Sequence, residues 1–238
     1  MSPLLFLVVI DWVMKKANEG SNRGIIWGLT KRLEDIDFAD DIALLAHNKE
    51  DTQEKTSRVS QLAKSVGLKI NANKSKVMRI NAKNTEEIMV DGRKMEEVKV
   101  FKYMGSNVTV DGDVDNEINT RIGMAAAAFR ALDNIWRSSA YKTQTKLNIY
   151  KSNVRSVLLY GAETWKTSTK TDSRIRGFEG RCLRRILRIR WEQRVTNAEV
   201  IRRTGINNIN DEIKRRRWKW LGHTLRMHST RHPHMALK

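Results

Sequence analysis

A change of hydrophobic period near Asp111-Gly112-Asp113 constrains this chain more than any other feature. Before it, short apolar runs alternate with turn residues and two helical stretches. After it, apolar residues recur at intervals of three and four. The reading is an α+β fold: β-hairpins with helices over residues 1–112, then an all-helical remainder. Ser2-Pro3 reads as an N-cap and first helical residue. Leu4, Leu5, Val8, Val9, Trp12 and Val13 follow at helical spacing, predicting a buried helix to about Ala17. A short strand is expected at Ile25–Leu29. Ile36 to Ala46 then places two apolar runs around Asp40-Asp41, the pattern of a tight hairpin. A helix is predicted over Lys49–Val66, with Gly67 ending it. Strands are expected at 68–70 and 76–80. Asp91-Gly92 predicts a hairpin between 87–90 and 95–100, and residues 101–110 predict another turning at Met104-Gly105-Ser106.

In the helical part, Ile118, Ile122, Ala125, Phe129, Leu132 and Trp136 share one stripe. Leu147, Tyr150, Val154, Val157 and Leu158 share a second, closing near Gly161. Ile175, Phe178, Cys182, Ile186 and Ile189 form a third, with Arg181, Arg184, Arg185 and Arg188 off it. Thr196-Asn197 caps a short helix ending at Gly205, and Asn210 is expected to cap a last one.

Charge divides where the period does. The 238 residues carry 45 Lys+Arg and 27 Asp+Glu, a formal charge of +18. Residues 1–133 hold 20 of each sign, so the whole excess lies in 134–238. An Arg-dominated surplus suits a polyanion, since a guanidinium pairs with phosphate in a fork, although a solvated basic face is the simpler reading. The single Cys182 excludes a disulfide scaffold and Cys-cluster zinc, and sits on an apolar stripe as a core residue would. The apolar run Leu4–Ile10, broken by Asp11, is too short to span a bilayer and lacks the flanks of a signal peptide. No membrane and no obligate protein partner are expected, and an intracellular place, nuclear or cytoplasmic, suits the single thiol. His223, His228, His232 and His234 have no Cys or carboxylate at ligand spacing.

Phe38-Ala39-Asp40-Asp41 is the sharpest chemical signal. Adjacent carboxylates in an apolar strand context are costly unless a cation holds them, and magnesium takes one or two carboxylates plus substrate phosphates. The alternative is an ordinary acidic turn. Ile36–Ala46 resembles the double-aspartate hairpin of reverse transcriptases, in the form found in non-LTR (LINE-type) retrotransposons. Ser2-Pro3-Leu4-Leu5-Phe6 is similar to the second half of that family's template- and nucleotide-positioning segment. Gly67-Leu68-Lys69-Ile70-Asn71 with Lys74 and Met78 resembles the next palm motif, and Phe101-Lys102-Tyr103-Met104-Gly105 the primer-grip hairpin. Leu159 to Trp165, Arg181-Cys182-Leu183-Arg184 and Trp220-Leu221-Gly222-His223 to Arg226-Met227 resemble the region after the polymerase thumb. These matches occur in family order along nearly the whole chain.

The resemblance implies a partial palm over 1–112, a helical thumb-like region over 113–170 and an Arg-rich helical region over 171–238. It implies RNA-directed DNA polymerase chemistry: templated addition of deoxynucleotides to a primer 3′-OH, with Mg2+, an RNA template and a DNA primer or target. Asp40 and Asp41 would hold the metal, and Lys74 would stand near the leaving pyrophosphate; a surface lysine is its plain alternative. Phe101, Tyr103 and Gly105 would place the primer end, or else simply pack a hairpin. Arg181, Arg184, Arg185, Arg188, Lys214, Arg215, Arg216, Arg217, Trp218 and Trp220 would hold nucleic acid by phosphate pairing and base stacking; tryptophans of the core and arginines of a solvated face are the competing readings. The family's site needs a further Asp from a strand upstream of Ser2-Pro3, and Asp11 cannot replace it. The expectation is a 5′-truncated copy or a partial gene model, with Mg2+ binding weakened and the chain inactive alone. The other reading is a non-catalytic basic protein that binds nucleic acid through its helical C-terminal half.

Overall fold

The computed structural model describes residues 2–27, 31–82, 86–166, 168–229 and 231–237. They fall into two compact units, Met1–Gly112 with His228–Lys238, and Asp113–Met227. Mixed helices and small two-stranded sheets in the first unit and helices in the second make the chain α+β. Among the described residues no helix is long and apolar enough to cross a membrane.

In the first unit, α1 (Pro3–Asn18) precedes β1 (Ile25–Trp27), β2 (Lys31–Leu33), β3 (Asp35–Phe38), β4 (Asp41–Leu44) and α2 (Lys49–Ser65). Then come β5 (Lys76–Val77), β6 (Met89–Val90), β7 (Arg93–Lys94), β8 (Glu96–Glu97), β9 (Val100–Tyr103) and β10 (Ser106–Thr109). α1 and α2 pack through Val13, Met14, Ala17 and Val59, with Ile42 and Leu44 of β4 against the same cluster. Arg58 of α2 donates from Nη2 to the Lys16 carbonyl at 2.9 Å and the Glu19 carbonyl at 3.1 Å, satisfying the carbonyls that end α1.

Several expectations are corrected here. The predicted α1 is present, but it is not buried: Leu4 is 70% exposed, and Leu5, Val8 and Trp12 also face solvent. Its C-terminal half, from Ile10 to Ala17, meets the cluster shared with α2. The strand expected at 25–29 covers Ile25–Trp27, and Leu29 lies outside the described residues. Residues 68–70 form no strand, and 76–80 shrinks to the two residues of β5. The Asp91-Gly92 turn does form, with φ of 51° and 73°. Its partners are Met89–Val90 and Arg93–Lys94, while Glu96–Glu97 pairs instead in parallel with Lys76–Val77. Two positive φ values suit a two-residue turn, which fixes this register and frees β8 for another neighbour.

The second unit contains α3 (Val114–Ala131), α4 (Asp133–Arg137), α5 (Thr143–Ile149), a π-helical turn (Tyr150–Arg155), α6 (Ser156–Leu158), α7 (Thr169–Ile186), α8 (Asn197–Thr204) and α9 (Ile209–Leu225). The short α10 (His232–Met235) returns to the first unit. One core holds the three predicted stripes: Ile118, Ala125, Phe129 and Trp136 meet Leu147, Tyr150, Val154 and Leu158, and both meet Ile175, Phe178, Cys182 and Ile186. The Phe129 and Trp136 rings stack at 4.9 Å, and the indole Nε1 donates to the Phe129 carbonyl at 2.7 Å. Burial pushes the Cys182 thiol up to about 12, which makes it a core residue rather than a nucleophile. Thr196 caps α8 and Gly205 ends it at φ 60°. α9 begins two residues earlier than expected because Asn208, not Asn210, supplies the cap, accepting from the Asn210 N–H at 2.9 Å.

Candidate active site and nucleic-acid interface

The acidic hairpin forms as predicted. β3 and β4 pair antiparallel with Phe38 opposite Asp41, so Ala39-Asp40 is the turn, with Ala39 at φ 57°. Residues directly opposite share a face. Asp35 and Asp37 therefore lie with Ile42 and Leu44 toward the α1–α2 cluster, while Asp41 lies with Phe38, Ile36 and Ala43 on the other side. Asp35 is held by Asn18 Nδ2 at 2.5 Å, and burial, with Asp37 beside it, raises its carboxyl above the usual range. Asp40 and Asp41 are exposed at the tip, and neither is paired with a lysine or arginine among the described residues.

The root of this hairpin is fastened by a residue no motif pointed to. Lys55 of α2 is 5% exposed and its Nζ has three partners. It pairs with the Glu34 carboxylate and donates to the Glu34 carbonyl at 2.9 Å and the Leu45 carbonyl at 2.6 Å. Glu34 and Leu45 flank β3 and β4 and are bridged by Leu45 N–H to Glu34 O at 2.9 Å. All three ammonium protons are thus spent at the open end of the hairpin. Burial works to raise Glu34, but Lys55, the Gly24 N–H and the Ser21 hydroxyl outweigh it and leave the carboxyl below its ordinary value.

The second hairpin lies against the first. β9 and β10 turn through Met104 and Gly105 at φ 47° and 78°, so Gly105 supplies the left-handed backbone that the turn needs. Phe101 and Tyr103, two residues apart on β9, stack at 6.5 Å. Tyr103 Oη donates to the Ile36 carbonyl of β3 at 3.2 Å. Burial, then the charges of Asp41, Asp37 and Asp35, raise the phenol above its ordinary value, so it stays a protonated donor. Lys74 is exposed in the 72–74 turn, its backbone N–H on the Asn71 carbonyl at 3.0 Å, and it makes no ion pair with Asp40 or Asp41. The structure thus brings Asp40, Asp41, Phe101, Tyr103 and Gly105 into one pair of hairpins and leaves Lys74 on a separate turn.

For magnesium, the donor chemistry of the tip fits: two exposed carboxylates are hard oxygen ligands, and the ion needs only one or two from protein. Among the described residues no group of three His, Cys, Asp or Glu side chains is arranged to hold a metal, so Asp40 and Asp41 have no third protein ligand there.

The basic residues divide into fasteners and open groups. Arg184 donates to the Val195 carbonyl at 3.0 Å and to Asn197 at 2.7 Å, Arg185 pairs with Asp133, and Arg188 donates to the Arg137 carbonyl at 2.5 Å. Arg215 and Arg216 pair with Glu212 at 2.8 and 3.1 Å. Arg216 also donates to the Leu159 carbonyl at 2.9 Å, and Arg217 to the carbonyls of Glu163 and Trp165. These arginines satisfy carbonyls of the 159–165 turn, where Gly161 takes φ 67° and Trp165 is buried. Arg181 and Lys214 are exposed, and among the described residues their side chains make no hydrogen bond or ion pair. Trp218 is 72% and Trp220 43% exposed, and Trp191, on a short turn, is exposed too, whereas Trp165 is buried. Lys214, Trp218 and Leu225 share one exposed side of α9.

Residues 1–108 match the family model described as reverse transcriptase (RNA-dependent DNA polymerase). A domain of unknown function matches residues 128–160. The chain is also 27% identical over 204 residues to an uncharacterized transposon-derived protein of Caenorhabditis elegans, covering 82% of this chain and 73% of that one. The double-aspartate hairpin and the Tyr103 hairpin hydrogen-bonded to it thus lie within a segment that is reverse-transcriptase-like in sequence.

Proposed function

We propose that this chain is the polymerase part of a non-LTR retrotransposon reverse transcriptase, with Asp40 and Asp41 at the catalytic tip and the helical unit holding nucleic acid. One observation carries the reading: the two exposed carboxylates stand on a hairpin fastened at its root by Lys55 and tied by Tyr103 to the neighbouring hairpin. Functional carboxylates belong on rigid elements whose supporting contacts lie elsewhere, and that is the arrangement here. Asp40 and Asp41 would hold Mg2+, which when bound supplies charge stabilisation for phosphoryl transfer. Tyr103 and Phe101 would steer the primer end, and Lys74 would serve the pyrophosphate side only if its turn moved toward the tip. Residues 1–112 take the palm's part, 113–170 the thumb's and 171–238 that of a basic tail, with an RNA template and a DNA primer as partners. Because no third carboxylate joins Asp40 and Asp41 among the described residues, turnover by this chain alone is expected to be orders of magnitude below that of an enzyme with a full carboxylate set.

Primer extension on an RNA template with Mg2+ tests this, with Asp40→Ala as control. Weak extension that disappears in Asp40→Ala supports the reading. Brisk extension would refute the low turnover, and extension unaffected by Asp40→Ala would refute the site.

The second reading is a non-catalytic nucleic-acid holder. The exposed Trp218, Trp220 and Lys214 on α9 favour it. It requires no extension at all, together with oligonucleotide binding whose affinity falls steeply with salt.

A further inference from the structure

The second unit contains a cavity of about 280 Å³ lined by Lys151, Arg155, Gly205, Asn207, Glu212 and Arg216. Of its three cations only Arg216 is among the residues expected from the sequence to hold nucleic acid. We propose that this cavity is a phosphate-binding pocket, taking a tetrahedral phosphate group either from a nucleic-acid backbone or as free phosphate or pyrophosphate. The backbone case rests on the nucleic-acid reading above; the free-anion case does not.

The argument begins with the π-helical turn Tyr150–Arg155. Such turns widen a helix locally and recur at functional sites. Here the widened turn buries Tyr150, Val154 and Arg155 together while Lys151 stays at the mouth. Arg155 is 9% exposed, which an arginine tolerates only when held. Its Nη2 donates to the Asn207 carbonyl at 2.6 Å, and its Nε lies 3.1 Å from Glu179 Oε1, too misaligned for a hydrogen bond. Among the described residues both of those atoms are buried without a hydrogen-bond partner. The guanidinium is therefore held by the Asn207 carbonyl and the Glu179 charge, and among the described residues its Nη1 makes no hydrogen bond.

Arg216 is fixed in the same way, by the Leu159 carbonyl at 2.9 Å and Glu212 at 3.1 Å. The one carboxylate in the lining, Glu212, is already shared between Arg215 and Arg216. Lys151 is exposed, forms no ion pair among the described residues, and can move onto an incoming oxyanion. The lining carries three positive side chains against one negative, with Glu179 paired to Arg155 just outside it, inside the unit that holds the chain's charge excess. Gly205, at φ 60°, would have nothing within 4 Å of an added Cβ, so the wall is open on that side. A cavity of about 280 Å³ has room for a phosphate, since one water occupies about 30 Å³. Two preorganised guanidiniums with a mobile ammonium is a donor set for phosphate rather than for carboxylate or a neutral ligand.

Calorimetric titration of the full chain at low salt with inorganic phosphate, pyrophosphate and a single-stranded oligodeoxynucleotide tests the pocket. Lys151→Glu is the variant, and Lys142→Glu, an exposed lysine outside the lining, carries the same charge change as control. Lys151 is exposed, so folding is retained, which a thermal melt checks. Lys151→Glu is expected to weaken at least one of the three ligands about tenfold or more relative to Lys142→Glu. A loss confined to the oligonucleotide assigns a backbone phosphate, and a loss confined to the free anions assigns phosphate or pyrophosphate. Equal effects of the two variants on every ligand, or no binding of any ligand by the unmodified chain, would overturn the pocket. Tight oligonucleotide binding with every ligand indifferent to Lys151→Glu overturns the pocket and leaves the proposed function standing. Absence of oligonucleotide binding, with phosphate binding sensitive to Lys151→Glu, does the reverse.

Discussion

Replacing Lys55 by methionine should loosen the acidic hairpin without touching its carboxylates. Methionine keeps the length of the side chain and removes only the ammonium. Three interactions go with it: the Glu34 ion pair, and hydrogen bonds to the Glu34 and Leu45 carbonyls at 2.9 and 2.6 Å. Removing one partner of a buried pair costs about 3–5 kcal/mol, because the other charge is left uncompensated. Two circumstances place the value at the lower end. Glu34 is 15% exposed, and its carboxylate retains the Ser21 hydroxyl at 2.9 Å. The expected loss is therefore about 3 kcal/mol, which corresponds to more than a hundredfold in an opening equilibrium. Whole-chain melting is the wrong assay, since a chain of two units does not melt with one midpoint. Hydrogen exchange followed by mass spectrometry on peptides covering residues 31–46 reads the opening directly. A double-mutant cycle with Glu34→Gln isolates the ion pair: the double variant should regain about 1–2 kcal/mol over Lys55→Met alone, because no carboxylate is left stranded. Exchange in residues 31–46 that changes less than about threefold in Lys55→Met would show that α2 does not hold the hairpin, and the reasoning would fail.

Three further outcomes are expected. In Gly24→Ala the added Cβ would lie 2.3 Å from the Leu33 carbonyl oxygen, a backbone atom that cannot step aside, so the β1–β2 pair should lose about 1–3 kcal/mol or separate; unchanged exchange at residues 31–33 would contradict this. Glu179 is raised to about 7 by burial, ahead of the opposing pull of Arg155, so the folded state binds a proton that the unfolded state releases near 4.5. Stability of the second unit should thus fall as pH rises from about 4.5 to 7, and Glu179→Gln should flatten that window in exchange or denaturant titrations at several pH values. Trp218→Ala with Trp220→Ala should weaken single-strand binding by about 1–3 kcal/mol for each stacked base while leaving unfolding nearly unchanged, since both side chains face solvent; unaltered affinity would remove stacking from α9.

The elements most legible in the sequence were those whose signal is local. The Asp40-Asp41 hairpin, the Met104-Gly105 turn, the Asp91-Gly92 turn and the Thr196-to-Gly205 helix follow from turn chemistry and caps that act within four residues. The three helical stripes in the second unit were readable because one buried face imposes a single period, and they meet in one core. Failures arose wherever a distant neighbour decided the outcome. Pairing of β8 with β5 depends on residues about twenty apart and has no local signature. The apolar stripe of α1 correctly announced a helix, but whether that face is covered depends on what packs there, and only its last turns reach α2.

The same division runs through the candidate site. Sequence by itself determined the residue types: two adjacent carboxylates on a turn, an aromatic pair two residues apart, and a cationic excess confined to residues 134–238. It could not distinguish an arginine that meets solvent from one that fastens a turn, because both are equally polar in a linear pattern. Tertiary structure made that choice, setting Arg184, Arg216 and Arg217 on backbone carbonyls and leaving Arg181, Lys214 and Trp218 exposed. It also drew in Lys55, a lysine any linear reading assigns to the surface, since a buried ammonium needs acceptors to replace its water, and those come from residues 34 and 45. Composition sets which groups a chain owns; the desolvation of each group, which only packing determines, sets which of them can still do chemistry.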